Sequence, residues 1–143
     1  MNKTRSKVFV VDDNASSLSV VRVLLKAVYD VYPLPSAYKL FDTMEKVIPD
    51  LILLDVNMPE MNGYETIAVL KEKPQFMNIP VVFLTARDDE GSAERGIDLG
   101  ATDYVTKPFS GPLLLRRISN ILLMEQQKQE LQECYLTIKE LQK

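Results

Sequence analysis

A chain of 143 residues with 46% hydrophobic content can bury one good core, and its length argues against a second complete domain. Its formal net charge of −3 removes the basic footprint of a nucleic-acid binder, and no run of about 18 apolar residues is present to span a membrane. It has no histidine and one cysteine, which excludes Ser/His and Cys/His nucleophile pairs, histidine-ligated metals and an internal disulfide.

The first seven residues are polar and basic with no apolar signal region behind them, so the expected location is the cytoplasm. Residues 8–11 (VFVV) are apolar in succession, which predicts a strand covered on both faces and therefore central in a sheet. Asn14 is a candidate N-cap, and Leu18, Val21, Leu25 and Val28 then recur at threes and fours along one helical face. Residues 31–34 (VYPL) form a weaker strand, and Pro33 suits an edge because proline cannot donate to a central ladder. Leu40, Met44 and Val47 mark a second helix after Ser36. Residues 51–54 (LILL) predict another central strand, and Ile67 and Leu70 a third helix after Gly63. Residues 80–84 (PVVFL) read as a third central strand. A short helix over 92–99 is stopped by Gly100, and residues 104–105 make a short edge strand.

From Leu113 to Lys143 there is neither proline nor glycine, so a single helix of unusual length is expected. Leu114, Ile118, Ile121 and Leu122 can pack on the sheet. Beyond them Met124, Gln127, Leu131, Cys134, Ile138 and Leu141 step by 3, 4, 3, 4 and 3, a heptad seam with one polar position. A solvent-exposed amphipathic tail is the bland reading, but an apolar stripe with nothing in its own chain to cover it needs a partner. The expectation is a parallel dimeric coiled coil with Cys134 as a small apolar interface residue. The pattern as a whole predicts an α/β fold, a (βα)₅ unit with right-handed crossovers. Residues 1–123 would form the domain and 124–143 a coiled-coil linker. That helix has no finishing cap, so the chain is expected to be the N-terminal portion of a longer protein.

In a parallel sheet the residues that follow each strand collect along one edge, where open α/β folds bind ligands. Here Asp12 and Asp13 follow the first strand, Asp55 the third, Thr85 the fourth and Lys107-Pro108 the fifth. Three clustered carboxylates raise one another's pKa unless a cation occupies the site. Oxygen-only ligands with room for water match Mg²⁺. An isolated Asp-Asp pair would be weak evidence, since such pairs are usually just solvated.

These residues resemble the receiver domains of bacterial response regulators over roughly residues 6–120. The resemblance rests on Val10-Val11-Asp12-Asp13-Asn14, on the run from Pro49 to Pro59 around Asp55, and on Met61-Asn62-Gly63-Tyr64. It rests also on Leu84-Thr85-Ala86 and on the run from Gly100 to Phe109. It implies a doubly wound five-stranded parallel sheet of CheY-like order 2-1-3-4-5. Asp55 would accept phosphoryl from a histidine kinase or histidine phosphotransfer protein, its carboxylate acting as nucleophile. Asp13 and Asp55 would bind Mg²⁺ directly, Asp13 chiefly, with Asp12 acting largely through water and the Asn57 carbonyl supplying another oxygen. Lys107 would contact a phosphoryl oxygen, with a cis bond before Pro108. Thr85 and Tyr104 would form the switch, repacking the face made by the fourth helix, fifth strand and fifth helix.

That face and the long helix are the expected contacts of a homodimer, with no nucleic-acid or membrane partner. Arg87 would tune phosphate lifetime, while Met58, Pro59, Met61, Gly63 and Phe109 concern shape and packing. Beyond its own phosphorylation and dephosphorylation no catalysis is expected. An aspartyl phosphohydrolase would carry Asp-x-Asp where Asn57 follows Asp55, and a flavin module would not place Asp12-Asp13 against a phosphate. A receiver-shaped dimeriser that is never phosphorylated would not need the full set of Asp12, Asp13, Asp55, Thr85 and Lys107.

Overall fold

The computed structural model describes residues 5–86, 92–108 and 110–142; Arg87 and Phe109 lie outside them. Strands and helices alternate strictly along the chain. They are β1 (Lys7–Val11), α1 (Ala15–Leu25), β2 (Asp30–Leu34), α2 (Ala37–Met44), β3 (Leu51–Asp55) and α3 (Gly63–Glu72). Then come β4 (Val81–Ala86), α4 (Ser92–Asp98), β5 (Asp103–Lys107) and α5 (Gly111–Leu141). All pairings are parallel and the strand order is β2-β1-β3-β4-β5, as the resemblance implies. The strands carrying Pro33 and Tyr104 are the edges, and the three continuous apolar runs are the centre.

The pleat turns successive side chains to opposite faces, so each central strand feeds two cores. Val8, Val10, Leu51, Leu53, Val82 and Leu84 pack with Val21 and Leu25 of α1 and Leu114, Ile118 and Ile121 of α5. Phe9, Val11, Ile52, Leu54 and Phe83 pack with Leu40 and Met44 of α2 and Ile67 and Leu70 of α3. That double cover is why those runs show no polar alternation.

Side-chain caps start α1, α2, α3 and α5. Asn14 and Ser36 accept from the backbone N–H three residues on, at 3.1 Å each. Asn62 and Glu65 form a reciprocal capping box that opens α3. Ser110 caps α5, which begins two residues before the expected Leu113 because Pro112 is tolerated in a first turn, where its missing N–H has no intrahelical partner.

Several expected boundaries move. Val28 lies past the end of α1 and is 50% exposed, because the chain turns toward β2 there, with Val28 and Tyr29 both donating to the Leu25 carbonyl. Val47 likewise follows the end of α2, though it packs against the core. Strands run past their apolar stretches to Asp55, Ala86 and Lys107, since ladder hydrogen bonds rather than side-chain character set their length.

Helix α5 has 31 residues and is about 46 Å long at 1.5 Å per residue. Its first turns are core, whereas Met124 and all described residues from Gln126 onward are exposed. No described helix is long and apolar enough to cross a membrane.

Glu60, exposed in the β3–α3 loop, holds a left-handed φ of 68°. That conformation suits glycine and crowds any side chain. Glu60→Gly is expected to raise the unfolding free energy by about 0.5–1 kcal/mol, read from the urea midpoint. An unchanged midpoint would mean the turn stores no such strain.

Candidate functional site

The chain leaves β1 into Asp12, whose N–H donates to the Leu34 carbonyl at 3.1 Å and so extends the β1–β2 ladder by a residue. Its carboxylate is almost fully buried, at 1% exposure. Both of its oxygens are engaged: Oδ1 accepts from the Asn14 N–H at 3.0 Å, and Oδ2 from Lys107 Nζ at 3.0 Å. Asp55, the last residue of β3, is also buried, and Lys107 Nζ lies 3.6 Å from its Oδ1. The Asn57 N–H donates to the same carboxylate. Asp13 stands at the exposed rim, and Asp12, Asp13 and Asp55 each offer an oxygen within 4.8 Å of the others.

Four of the expected residues, Asp12, Asp13, Asp55 and Lys107, therefore meet at one end of the sheet. Thr85 is buried and follows Leu84, the register partner of Asp55. Tyr104 pairs with Phe83 two positions back along β4, so Thr85 and Tyr104 lie on the sheet face covered by α4, with the Tyr104 ring 38% exposed. Beside it Glu94, Ile97, Asp98 and Tyr104 line a cleft of about 320 Å³. The Lys107–Pro108 bond is cis. Two supporting contacts carry no signature in sequence: the Asn14 and Asn57 N–H groups that hold the two buried carboxylates.

Burial pushes the Asp55 pKa up to about 6, and the neighbouring Asp12 charge pushes the same way. Lys107 and the Asn57 N–H oppose them without cancelling them. Three carboxylates against one ammonium leave a deficit of positive charge. Asp12 holds Lys107 more tightly, at 3.0 Å against 3.6 Å for Asp55, and Asp13 at the exposed rim keeps the most accepting capacity. An all-oxygen set with one member open to water fits a hard divalent cation.

The folded chain holds the Asp55 proton more tightly than the unfolded chain does. This group therefore favours folding at low pH, and that contribution is lost as pH rises from about 4 through about 6. Asp55→Asn stays neutral throughout. In metal-free buffer it is expected to exceed the parent in stability by about 1–3 kcal/mol at neutral pH, the gap closing toward about pH 4. Urea unfolding across that range checks it, and a gap independent of pH would contradict it.

Residues 8–119 match the sequence profile of the family described as Response regulator receiver domain. Hybrid signal transduction histidine kinase D of Dictyostelium discoideum is 37% identical over 126 residues, which are 88% of this chain and 8% of that protein. The Vibrio cholerae protein named "Probable cyclic di-GMP phosphodiesterase" is 36% identical over 121 residues, 85% of this chain and 27% of its own length. The chain thus spans only a small part of these relatives. The solved structure of chemotaxis protein CheY4 of Vibrio cholerae superposes with a TM-score of 0.76 at 30% identity, covering 82% of this chain and 98% of that one. In sheet order and in sequence, the chain belongs to the receiver domains of two-component response regulators, a family of phosphoacceptor signalling modules that are not, in general, enzymes.

Proposed function

We propose that this domain accepts a phosphoryl group on Asp55 from a phosphohistidine of a histidine kinase or histidine phosphotransfer protein. It passes the change to the α4–β5–α5 face and to the α5 helix. One observation carries the reading: a buried Asp55 at the end of a central strand, with Lys107 Nζ at 3.6 Å and two further carboxylates clustered with it.

At neutral pH Asp55 is mostly ionised, so its carboxylate can attack phosphorus in line with the leaving imidazole. The new bond is Asp55 O–P; the bond that breaks is P–N, and its electron pair returns to the imidazole nitrogen of the donor. Lys107, anchored on Asp12, presents its ammonium to a phosphoryl oxygen. Asp12 is a positioning residue in this scheme, since its oxygens already hold Lys107 and the Asn14 N–H. Asp13 and Asp55, with the Asn57 carbonyl, would hold Mg²⁺ directly, and Asp12 would reach it through water. When bound, that ion offsets the charge that builds on the phosphoryl oxygens.

The switch is the one that the family resemblance implies, and the position of Thr85 and Tyr104 on one sheet face supports it. The Thr85 hydroxyl moves toward the phosphorylated Asp55, and the Tyr104 ring, exposed beside the α4 cleft, turns into the space that Thr85 leaves. Residues 1–123 act as the receiver and 124–143 as a coiled-coil extension that pairs with a second copy. The exposure of Met124, Leu131, Cys134, Ile138 and Leu141 supports that pairing. The relatives named as a histidine kinase and a phosphodiesterase contain the matching segment as a small fraction of their length, which supports a role as an input module within a larger signalling protein.

Acetyl phosphate with Mg²⁺ is expected to label the parent chain, with Asp55→Asn and chelator each abolishing the label. Lys107→Ala should slow labelling by about tenfold or more, as loss of one charge clamp on the phosphoryl group would. Label that persists in Asp55→Asn sinks the assignment. Sedimentation equilibrium checks the helix: the double variant Leu131→Asp, Ile138→Asp is expected to be monomeric where the parent is dimeric, and a monomeric parent would remove the coiled coil.

A further inference from the structure

Two glycines touch opposite edges of one buried ring. Phe83, 1% exposed, sits on β4 between Leu54 of β3 and Tyr104 of β5 in register. A Cβ on Gly96 of α4 would stand 2.5 Å from Phe83 Cδ2 and 2.8 Å from Cε2. A Cβ on Gly63, the first residue of α3, would stand 3.0 Å from Phe83 Cε1. It would also stand 2.6 Å from the Asp55 carbonyl oxygen and 2.9 Å from Val56 Cα. Gly63 is bound at that place by its own N–H, which donates to the Val56 carbonyl at 2.9 Å. The packing therefore runs without a gap from the Asp55 backbone through Gly63 and the Phe83 ring to Gly96.

Gly96 is costly where it stands, since a glycine inside a helix loses about 1 kcal/mol against alanine. Close approach to the ring is what its missing side chain permits. A second tie joins the same two helices: Tyr64 of α3 meets Phe83 edge-on at 5.5 Å between centroids, and the Arg95 guanidinium of α4 lies 4.2 Å from the Tyr64 centroid. Phe83 has nowhere to retreat, because a buried aromatic ring between two backbones can move only by moving one of them.

We infer that Phe83 is a wedge between the Asp55 backbone and α4, and that Gly63 and Gly96 are positioning residues that fix the distance between the acceptor and the output face. The inference rests on the phosphoacceptor reading only for its consequence in labelling; the mechanical coupling stands on contacts alone. Widening the Gly96 side pushes the ring toward Gly63 and displaces the Asp55–Val56 backbone, or lifts α4 from the sheet beside Tyr104. Trimming the ring relieves both.

The test uses the full chain. In Gly96→Ala the backbone amide resonances of Asp55, Val56 and Gly63 are expected to shift, and labelling by acetyl phosphate at saturating Mg²⁺ to slow by about fivefold, the scale of coupling through packed side chains. Adding Phe83→Leu should return both readouts toward the parent, a rescue that general loss of stability would not produce. If Gly96→Ala fails to fold, Phe83→Leu alone is expected to move the same three amides. A folded variant in which these amides keep their parental positions overturns the wedge, as does a double variant no closer to the parent than Gly96→Ala. Amides that shift and recover in a chain that takes no label in any form uphold the wedge and end the acceptor role of Asp55 instead.

Discussion

Two carboxylates buried at one end of a parallel sheet, against a single ammonium, are the condition on which the rest of the molecule depends. Asp12 and Asp55 are both nearly inaccessible to water, and Lys107 lies within ion-pair distance of each. Burying charge is costly unless it is paired and hydrogen-bonded. The fold answers with an N–H from Asn14 for one carboxylate and from Asn57 for the other. The compensation is incomplete, as the raised Asp55 pKa records. An edge that stays short of positive charge is suited to receive a cation. Buried charge works against stability here, and the strand ends are where the fold tolerates it.

Most of that arrangement was legible in the sequence because the carboxylates fall directly after apolar runs. Once residues 8–11, 51–54 and 80–84 are read as neighbouring parallel strands, Asp12, Asp55 and Thr85 must share an edge. Continuous apolarity identified the centre of the sheet, and Pro33 identified one side. The ends of elements were less legible. Val28 continues the α1 period yet lies outside the helix, because the route into β2 rather than the side chain decides where α1 stops. Lys107 belongs to β5 by backbone pairing that no side-chain pattern announces. The engagement of both Asp12 oxygens was equally hidden, since one partner is a main-chain N–H and the other arrives from 95 residues away. Glycine contributes nothing to periodicity, so the close approaches of Gly63 and Gly96 to Phe83 could be seen only in three dimensions.

Helix α5 joins two regimes without a break. Leu114, Ile118 and Ile121 are locked into the core under β5, while the described residues from Gln126 onward touch solvent on every side. Arg117 fixes the start of the same helix by pairing with Asp103 and with the Tyr104 carbonyl, so β5 and the helix share a direct polar contact. A continuous helix has few soft torsions along its length. A reorientation at its buried end would therefore reach the far end as a rigid motion instead of dissipating in a hinge.

The edge strand β2 has a quieter consequence. Leu34 turns its carbonyl inward to Asp12, so the preceding residue, Pro33, faces outward by the alternation of a parallel ladder. Pro33 has no N–H to offer there, and it is exposed. An incoming extended segment would find the row of donors interrupted at the fourth of the strand's five residues. The β2 border of the sheet thus resists being lengthened by a stranger.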